Sequence, residues 1–230
     1  MSTTNSFGQA IGDALPQWKV PPYPAGEPLF GRYCELQPLA IGEHAADLYE
    51  AYSGDNGSMW TYLPYGPFAT FNEYRTFLHS TCLSADPLFY AIFNPQTKKP
   101  VGVAAYQRIT PASGSIEVGH LAYSPLLQRT PASTEAMYLM MKRAFELGYR
   151  RYEWKCDALN APSSAAALRL GFKFEGIFRQ AIVYKGRTRD TAWYSIIDSE
   201  WPALKAAFEK WLAPENFDAA GKQKAKLQSH

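Results

Sequence analysis

The stretch LAYSPLLQRTPASTEAMYLMMKRAFE, which runs from Leu121 to Glu146, decides the fold class of this 230-residue chain. It begins as a strand, breaks at Pro125, and continues from Pro131 with the apolar spacing of a long helix. Gly148 follows as a stop signal for that helix. The alternation of a strand with a long helix favours a sheet that helices cover.

The residues between strand and helix, 128–134, fit an anion site. A helix N-terminus has unpaired backbone N–H groups and the positive end of the helix dipole. Arg129 adds charge, Ser133 and Thr134 add hydroxyls, and the small Ala132 lets an anion approach the backbone. A phosphate or pyrophosphate fits this chemistry. An ordinary strand-to-helix connection capped by Thr130 or Ser133 fits as well, and the glycines and lysine of a Walker loop are missing.

The rest of the chain alternates strands and helices in the same way. Strands are predicted at 29–39, 88–94, 100–109, 114–124 and 150–158, and as a hairpin at 173–198 that turns at Lys185-Gly186. Helices are predicted at 42–53, 71–84, 131–147, 161–172 and 199–212. Interleaved elements predict a mixed α/β (α+β) fold with one mixed sheet flanked by helices.

The length of the chain favours one domain. Residues 1–28 contain five prolines and little periodicity, so an extended N-terminal arm is expected there. The domain itself is expected at 29–212. The segment 213–230 is polar and rich in lysine, and a disordered tail is expected.

Composition bears on the choice of partners and compartment. A net charge of +2 gives no argument for nucleic acid or an anionic membrane, and no apolar run reaches the roughly 18–20 residues of a membrane span. The N-terminus has no signal-peptide pattern. Three scattered cysteines indicate reduced thiols and a cytoplasmic protein, and the four histidines show no metal-ligand spacing with them. We therefore expect no metal, nucleic-acid or membrane partner.

Two motifs carry a family resemblance. The sequence resembles the GCN5-related N-acetyltransferase (GNAT) superfamily, in which the fourth strand leads into a loop Gln/Arg-x-x-Gly-x-Gly/Ala that holds the pyrophosphate of acetyl-CoA. Here the matching residues are Gln128-x-x-Pro131-x-Ser133, followed by TEA at 134–136. Pro131 replaces the family glycine and removes one backbone donor, although proline suits the first position of a helix.

The segment CDALNAPSSAAALRLGFKFEG, 156–176, is similar to the second cofactor segment of the family. Asn160 matches the family asparagine, and Gly171-Phe172 match the end of the short helix that follows. The order of elements over 29–198 also fits. The branch most similar in look is that of the ribosomal-protein N-terminal acetyltransferases.

The resemblance implies a central, mixed, mostly antiparallel sheet and transfer of an acetyl group from acetyl-CoA to a primary amine by direct attack. The acceptor would be a protein N-terminus or a small amine, and a homodimer is compatible with the family. By analogy, the residues expected to contact acetyl-CoA are Leu121, Ala122, Tyr123, Gln128, Arg129, Thr130, Ala132, Ser133, Thr134, Asn160, Ser163 and Ser164.

Catalysis needs a group that takes up the amine proton. The family pattern makes Glu117 the first choice and His120 the second, because an ordinary imidazole titrates near pH 6.5. A structural role is the alternative for both: Glu117 bonded to backbone or to an arginine, His120 hydrogen-bonded in place. Ala166 and Ala167 stand near where the family often has an acid, so Tyr184 is considered instead.

The loop WTYLPYGPF, 60–68, is expected to line the acceptor pocket with Trp60, Tyr62 and Tyr65, which could hold an amine by cation–π contact. A packed lid over the core is the alternative. At the level of the whole protein, the alternative is a catalytically silent domain that binds CoA or a partner chain. Pro131 and the missing acid motivate it.

Overall fold

An eight-stranded sheet runs through the structure, a computed structural model that describes residues 3–219 and 221–227. Its strands follow the order β3-β4-β5-β6-β7-β8-β10-β9. A small separate hairpin, β1 with β2, precedes it. The strands are β1 (Thr3–Thr4), β2 (Ala10–Ile11), β3 (Leu29–Phe30), β4 (Glu35–Pro38), β5 (Leu88–Phe93), β6 (Pro100–Thr110), β7 (Ser115–Tyr123), β8 (Arg151–Asp157), β9 (Lys173–Tyr184) and β10 (Arg187–Ile197).

Five α-helices flank this sheet within the described residues. They are α1 (Ile41–Tyr52), α2 (Phe71–Thr81), α3 (Pro131–Glu146), α4 (Ala161–Arg169) and α5 (Trp201–Leu212). Every pairing in the large sheet is antiparallel except that of β7 with β8, which α3 connects as a crossover. The predicted mixed, mostly antiparallel sheet flanked by helices is confirmed.

Two apolar clusters cover the two faces of the sheet. On one face, α3 and α5 pack against buried side chains of the sheet such as Ile116, Trp154 and Tyr194. On the other face, α1 and α2 pack against β5, β6 and β7 through residues such as Leu48 and Val103. The second cluster ends at β7. The same face of β8 carries charged side chains instead, such as Glu153 and Lys155.

The predicted first strand, 29–39, is two short strands joined by a turn. A carboxylate from α3 holds that turn: Glu135 accepts hydrogen bonds from the backbone N–H groups of Arg32 (2.9 Å), Tyr33 (2.5 Å) and Cys34 (2.9 Å). Because Glu135 is buried, this bond set ties α3 to the start of the sheet.

The N-terminal segment lies along the domain. The hydroxyl of Tyr23 donates to the carbonyl of Ile109 (3.1 Å), and that of Tyr149 donates to the carbonyl of Pro22 (3.2 Å). Glu27 pairs with Arg143 of α3. The hairpin of β1 and β2 was not predicted.

The described part of residues 213–230, predicted as a disordered tail, makes specific contacts with the domain in the structure. Trp211 Nε1 donates to Gln223 Oε1 (2.9 Å), and Asn216 Nδ2 donates to the carbonyl of Trp211 (2.9 Å). Leu227 is buried against the core of the domain. The polar composition hid these anchors, because each depends on a single side chain. Residues 220 and 228–230 lie outside the described residues.

Among the described residues, none of the helices is both long enough and apolar enough to cross a membrane.

Candidate active site

A cleft opens where β7 and β8 part. The parallel ladder runs from Ser115↔Arg151 to Val118↔Trp154 and then stops, although both strands continue. Residues 119–123 of β7 therefore have no ladder partner on the β8 side in the described structure. The resulting cleft has a volume of 430 Å³. Because this edge has no strand partner, backbone groups of residues 119–121 can bind a ligand there, whereas the carbonyls of Ala122 and Tyr123 already accept from Tyr52 and Gln128.

An irregularity in β7 causes the parting. The register between β6 and β7 shifts between Val103 and Ala105, opposite Ala122 and Gly119. His120 sits at this bulge with φ of 52°, a left-handed conformation that is uncommon outside glycine. A side chain at Gly119 would collide with Gln107, since a Cβ there would lie 2.0 Å from its Nε2. A larger residue here would displace the Gln107 side chain and with it the hydrogen bond from Gln107 to Glu117.

Glu117 lies at the floor of the cleft and is only 1% exposed. Its Oε1 accepts from Gln107 Nε2 (2.6 Å) and Arg108 Nη1 (2.7 Å), and its Oε2 accepts from Arg108 Nη1 (2.8 Å) and Lys155 Nζ (2.8 Å). A carboxylate offers about four acceptor sites. All of them are occupied, which favours the structural interpretation of Glu117 over that of a proton acceptor.

His120 lines the cleft beside Glu117. Its ring stacks on Tyr65 with the centroids 5.7 Å apart, and its Nδ1 lies 3.1 Å from the Tyr65 hydroxyl. Burial, with a smaller contribution from the charge of Arg108, lowers the pKa of His120 to about 4. The imidazole is therefore neutral at physiological pH and weakly basic.

Asp157 is a second carboxylate at the cleft, at the end of β8, and it was missed in the sequence. Its Oδ1 accepts the backbone N–H of Leu159 (2.8 Å), and its Oδ2 accepts the hydroxyl of Tyr184 (2.8 Å). Burial and this bond raise the pKa of Tyr184 to about 12, so the phenol stays protonated. Two of the roughly four acceptor sites of Asp157 remain open.

The aromatic loop contributes one of its three predicted pocket residues. Tyr62 lines the cleft, and its hydroxyl donates to the carbonyl of Leu159 (3.1 Å). The other two do not line it in the described structure. Trp60 is 5% exposed and packs under α1 and α2, as the packed-lid alternative describes, because its large ring completes that cluster. The ring of Tyr65 stacks on that of His120. Lys185 Nζ donates to the carbonyl of Trp60 (2.7 Å), which links the β9–β10 turn to this loop.

The start of α3 supports an anion site with few donors. Pro131 at the first position has no N–H, and the N–H of Ser133 is capped by Thr130 Oγ1 (3.3 Å). The N–H of Ala132 is left in the first turn. Arg129 is exposed beside it with φ of 59°. Gln128 Nε2 donates to the carbonyl of Tyr123 (2.7 Å) and so fixes the loop to the end of β7.

Two of the predicted hydroxyl donors at this helix start are engaged within the protein. Ser133 Oγ donates to the carbonyl of Thr130 (2.7 Å). Thr134 is 2% exposed, and its Oγ1 accepts from Arg169 Nη2 (2.6 Å), because the helix turns this position inward. The Thr134 side chain is thus engaged with Arg169, and its contact with a pyrophosphate stays a prediction. Arg169, which the sequence did not single out, brings a second cation close to the helix start.

The remaining predicted contacts lie along the two strands and at α4. Leu121 lines the cleft, whereas Ala122 is buried and its carbonyl accepts from the Tyr52 hydroxyl (3.2 Å). Asn160 lines the cleft and caps α4, since its Oδ1 accepts the N–H of Ser163 (3.1 Å). Ser163 also lines the cleft and accepts from Trp154 Nε1 (3.0 Å).

Ser164 lies deeper than Ser163, with its Oγ 3.6 Å from the sulfur of Cys156. The described residues contain no group of three His, Cys, Asp or Glu side chains that could hold a metal ion.

The cleft connects the two faces of the sheet. Trp154, Cys156 and Ala192 point into the cluster shared with α3. Because side chains alternate along a strand, Lys155 of β8 and Trp193 of β10 point to the opposite face, where Lys155 Nζ lies 3.6 Å from the ring centre of Trp193. Helix α3 lies on the first of these faces, although none of residues 128–134 lines the cleft, and the charged groups around Glu117 lie on the other face.

The comparisons with known proteins agree with this geometry. The model of the acetyltransferase (GNAT) domain matches residues 35–173, more than half of the chain. A GCN5-related N-acetyltransferase from Brucella melitensis is 50% identical over 93% of this chain and 98% of its own, with a TM-score of 0.91. A protein named as a probable acetyltransferase (GNAT family) from Chromobacterium violaceum ATCC 12472 is 41% identical over 84% of this chain and 98% of its own, with a TM-score of 0.80.

A search of curated protein sequences found no match. The domain match and the two similar structures establish the family and its acetyltransferase activity, and this family uses acetyl-CoA. The chain is a member of the GNAT family of acetyltransferases.

Proposed function

We propose that this protein transfers the acetyl group of acetyl-CoA to a primary amine by direct attack. The observation that carries the proposal is the cleft between β7 and β8. It opens on both faces of the sheet, so a thioester reaching in from the α3 side would meet an amine from the side of Glu117. Direct attack requires this kind of shared space, because both reactants must be held together.

The residues at the cleft fit acetyl-CoA. The N–H of Ala132 and the charge of Arg129 would hold the pyrophosphate, and Asn160 and Ser163 would contact the arm of the molecule. The unpaired edge of β7 at 119–123 would receive the pantetheine, with a backbone N–H there to polarise the thioester oxygen. Bound acetyl-CoA supplies the activated acetyl group. Gln128 and Thr130 act on the shape of the loop through the bonds described above.

We assign the uptake of the amine proton to Asp157. Two neutral groups donate to it, and it keeps open acceptor sites at the cleft. The four bonds of Glu117 leave no such site, so Glu117 holds Arg108 and Lys155 in position. Glu117 as the base remains the alternative that mutation decides. His120 is a weak base because burial lowers its pKa to about 4.

The acceptor belongs to one of two classes, a small amine or a protein N-terminus. The ribosomal L7/L12 α-N-protein acetyltransferase is 22% identical over 74% of this chain, with a TM-score of 0.61, and this level of identity supports the fold alone. Membership of that branch is therefore a proposal. The cleft volume of 430 Å³ supports a small amine.

Two further proposals follow from the surface and the cysteines. The edge strand β9 carries exposed Ile177, Phe178 and Val183, and such an edge invites pairing with a second copy. We infer a homodimer through β9, and sedimentation of the protein and of Val183→Lys tests it: a monomer in both contradicts it. The three free, buried cysteines support a cytoplasmic location.

The direct test measures acetyl-CoA binding by calorimetry and release of the CoA thiol with a panel of amines and N-terminal peptides. We expect binding, and turnover with at least one amine. Saturation at 100 times the dissociation constant should also stabilise the fold by about 2.7 kcal/mol. Binding without turnover on any amine would support the alternative of a silent CoA-binding domain, which the missing N–H of Pro131 also favours.

A further inference from the structure

Strand β10 presents a row of hydrogen-bond donors to the cleft. Arg189, Thr191 and Trp193 all line it. The Nε of Arg189 and the Nε1 of Trp193 are buried and have no hydrogen-bond partner among the described residues. Buried N–H groups are nearly always paired, because an unpaired one loses its bond to water without replacement. Two of them in one cleft point to a ligand that accepts hydrogen bonds.

The charge of Arg189 is unbalanced. The two other cations at the cleft, Arg108 and Lys155, both bind Glu117. Arg189 takes part in no ion pair of the part of the chain that the structure describes, and its guanidinium carbon lies 5.8 Å from the ring centre of Tyr184. The Tyr184 hydroxyl donates to Asp157. Arg189 therefore has the neutral phenol ring of Tyr184 beside it, and no carboxylate of the described residues forms an ion pair with it.

The Trp193 donor is held in a fixed direction. Its ring lies 4.4 Å from that of Phe178 and 3.6 Å from the Lys155 ammonium, between two strands. A donor whose ring cannot rotate loses little freedom when a ligand binds. Guanidinium and carboxylate groups match each other in geometry and charge, so a carboxylate is the acceptor group that such a site recognises best.

We propose that the amine substrate carries a carboxylate, and that Arg189 and Trp193 bind it. The substrate class is then a small amino acid or short peptide with a free carboxylate. This inference rests on the proposed function, since it takes the cleft on the Glu117 face as the acceptor site. Thr191 and Trp193 share that face with Lys155, opposite the cluster that contains α3, so their anion is distinct from the cofactor pyrophosphate.

The test compares dipeptides that have a free C-terminal carboxylate with the same dipeptides as C-terminal amides. Their attacking amines are alike, so the comparison isolates the carboxylate. With saturating acetyl-CoA, kcat/KM for the acid should exceed that for the amide by about 10- to 100-fold, as for a charge-assisted bond. In Arg189→Gln most of this preference should be lost through a higher KM for the acid, leaving the part that Trp193 supplies, while acetyl-CoA affinity changes less than about twofold.

Three further variants sharpen the result. Trp193→Phe keeps the ring and removes the N–H, so it should lower the preference by about 3- to 10-fold. Arg189→Lys keeps the charge and should retain part of the preference. Arg179→Gln removes an exposed cation from β9, which does not line the cleft at that position, and should behave as the unaltered protein. Melting curves of all variants check that the fold is kept.

The outcomes separate this inference from the proposed function. Turnover of amines with equal rates for acid and amide, or an equal effect of Arg189→Gln on both, overturns the inference and leaves the function standing. Weaker acetyl-CoA binding in Arg189→Gln would assign Arg189 to the cofactor and also overturn it. If no amine is acetylated, the N-acetylated dipeptide acid and amide are titrated into the CoA-loaded protein: selective binding of the acid supports the inference, and equal binding overturns it.

Discussion

Replacing Asp157 by asparagine removes a proton acceptor and leaves the shape of the site almost unchanged. In the native protein, Asp157 Oδ1 accepts the N–H of Leu159 and Oδ2 accepts the hydroxyl of Tyr184, both at 2.8 Å. An asparagine keeps the first bond through its oxygen. Its amide can donate to the Tyr184 oxygen instead, if the phenol turns its own proton away. One exchanged bond should cost about 1 kcal/mol of folding free energy.

The effect on turnover should be far larger. General-base catalysis contributes about 10²- to 10⁴-fold, which corresponds to about 3–5.5 kcal/mol in the barrier. We expect kcat of Asp157→Asn to fall by this factor while acetyl-CoA binds with unchanged affinity. The loss should shrink as the pH rises, because more of the amine is then already neutral. Release of the CoA thiol across a pH series, with calorimetric binding alongside, measures both effects.

Glu117→Gln is the matched comparison, since it also exchanges a cleft carboxylate for its amide. It breaks a buried pair, so it should destabilise the fold by about 2–4 kcal/mol, at the low end because Arg108 is partly exposed and Lys155 keeps Glu153 as a partner. Turnover of the folded protein should fall by less than about tenfold. A fully active Asp157→Asn together with a stable, inactive Glu117→Gln would refute this reasoning and restore Glu117 as the base.

Three other substitutions, two of them with a control variant, test other parts of the structure. Pro131→Gly restores a backbone donor, so calorimetric titration should show equal or tighter binding of acetyl-CoA. Without ligand, its free energy of unfolding should be lower by about 0.4–1 kcal/mol. A clear loss of affinity would mean that the proline shapes the loop. Glu135→Gln turns one hydrogen-bond acceptor into a donor that faces the 31–34 turn, so its free energy of unfolding in urea should fall by about 2–4 kcal/mol. The control, Glu146→Gln at an exposed position, should lose about 0.5 kcal/mol or less. Equal losses in the two variants would contradict the role given to Glu135. Because the pKa of His120 in the folded protein is about 4, below its ordinary 6.5, the contribution of this residue to the free energy of unfolding should be complete above pH 6.5 and fall by about 3 kcal/mol towards pH 4. His120→Asn should flatten this pH dependence, and the exposed His79→Asn should leave it unchanged. An unchanged pH dependence in His120→Asn would contradict the burial argument.

The sequence predicted the elements well where local signals are strong. The hairpin turn at Lys185-Gly186 lies between β9 and β10, and α3 begins at Pro131 as predicted. Elements that depend on tertiary contact were harder. The predicted strand at 29–39 is interrupted because Glu135, about a hundred residues away, binds the turn. No local pattern announces such a bond.

The candidate site was predicted in its parts but not in its connections. The parting of β7 and β8 depends on a bulge at His120 and on the register of a parallel pair, neither of which a sequence pattern encodes. Asp157 could be predicted from simple alternation, since Glu153, Lys155 and Asp157 share one face of β8. The ion pairs of Glu117 with Arg108 and Lys155 could not be predicted in this way, because the three residues lie on three different strands.

The central claim is that acetyl-CoA binds between the parted strands. A crystal structure of the complex with acetyl-CoA tests it most directly. We predict the pyrophosphate at the N–H of Ala132 beside Arg129, and the acetyl end between residues 119–123 of β7 and Asp157. Well-defined acetyl-CoA anywhere else on the protein, with the space between β7 and β8 still open, would contradict the account.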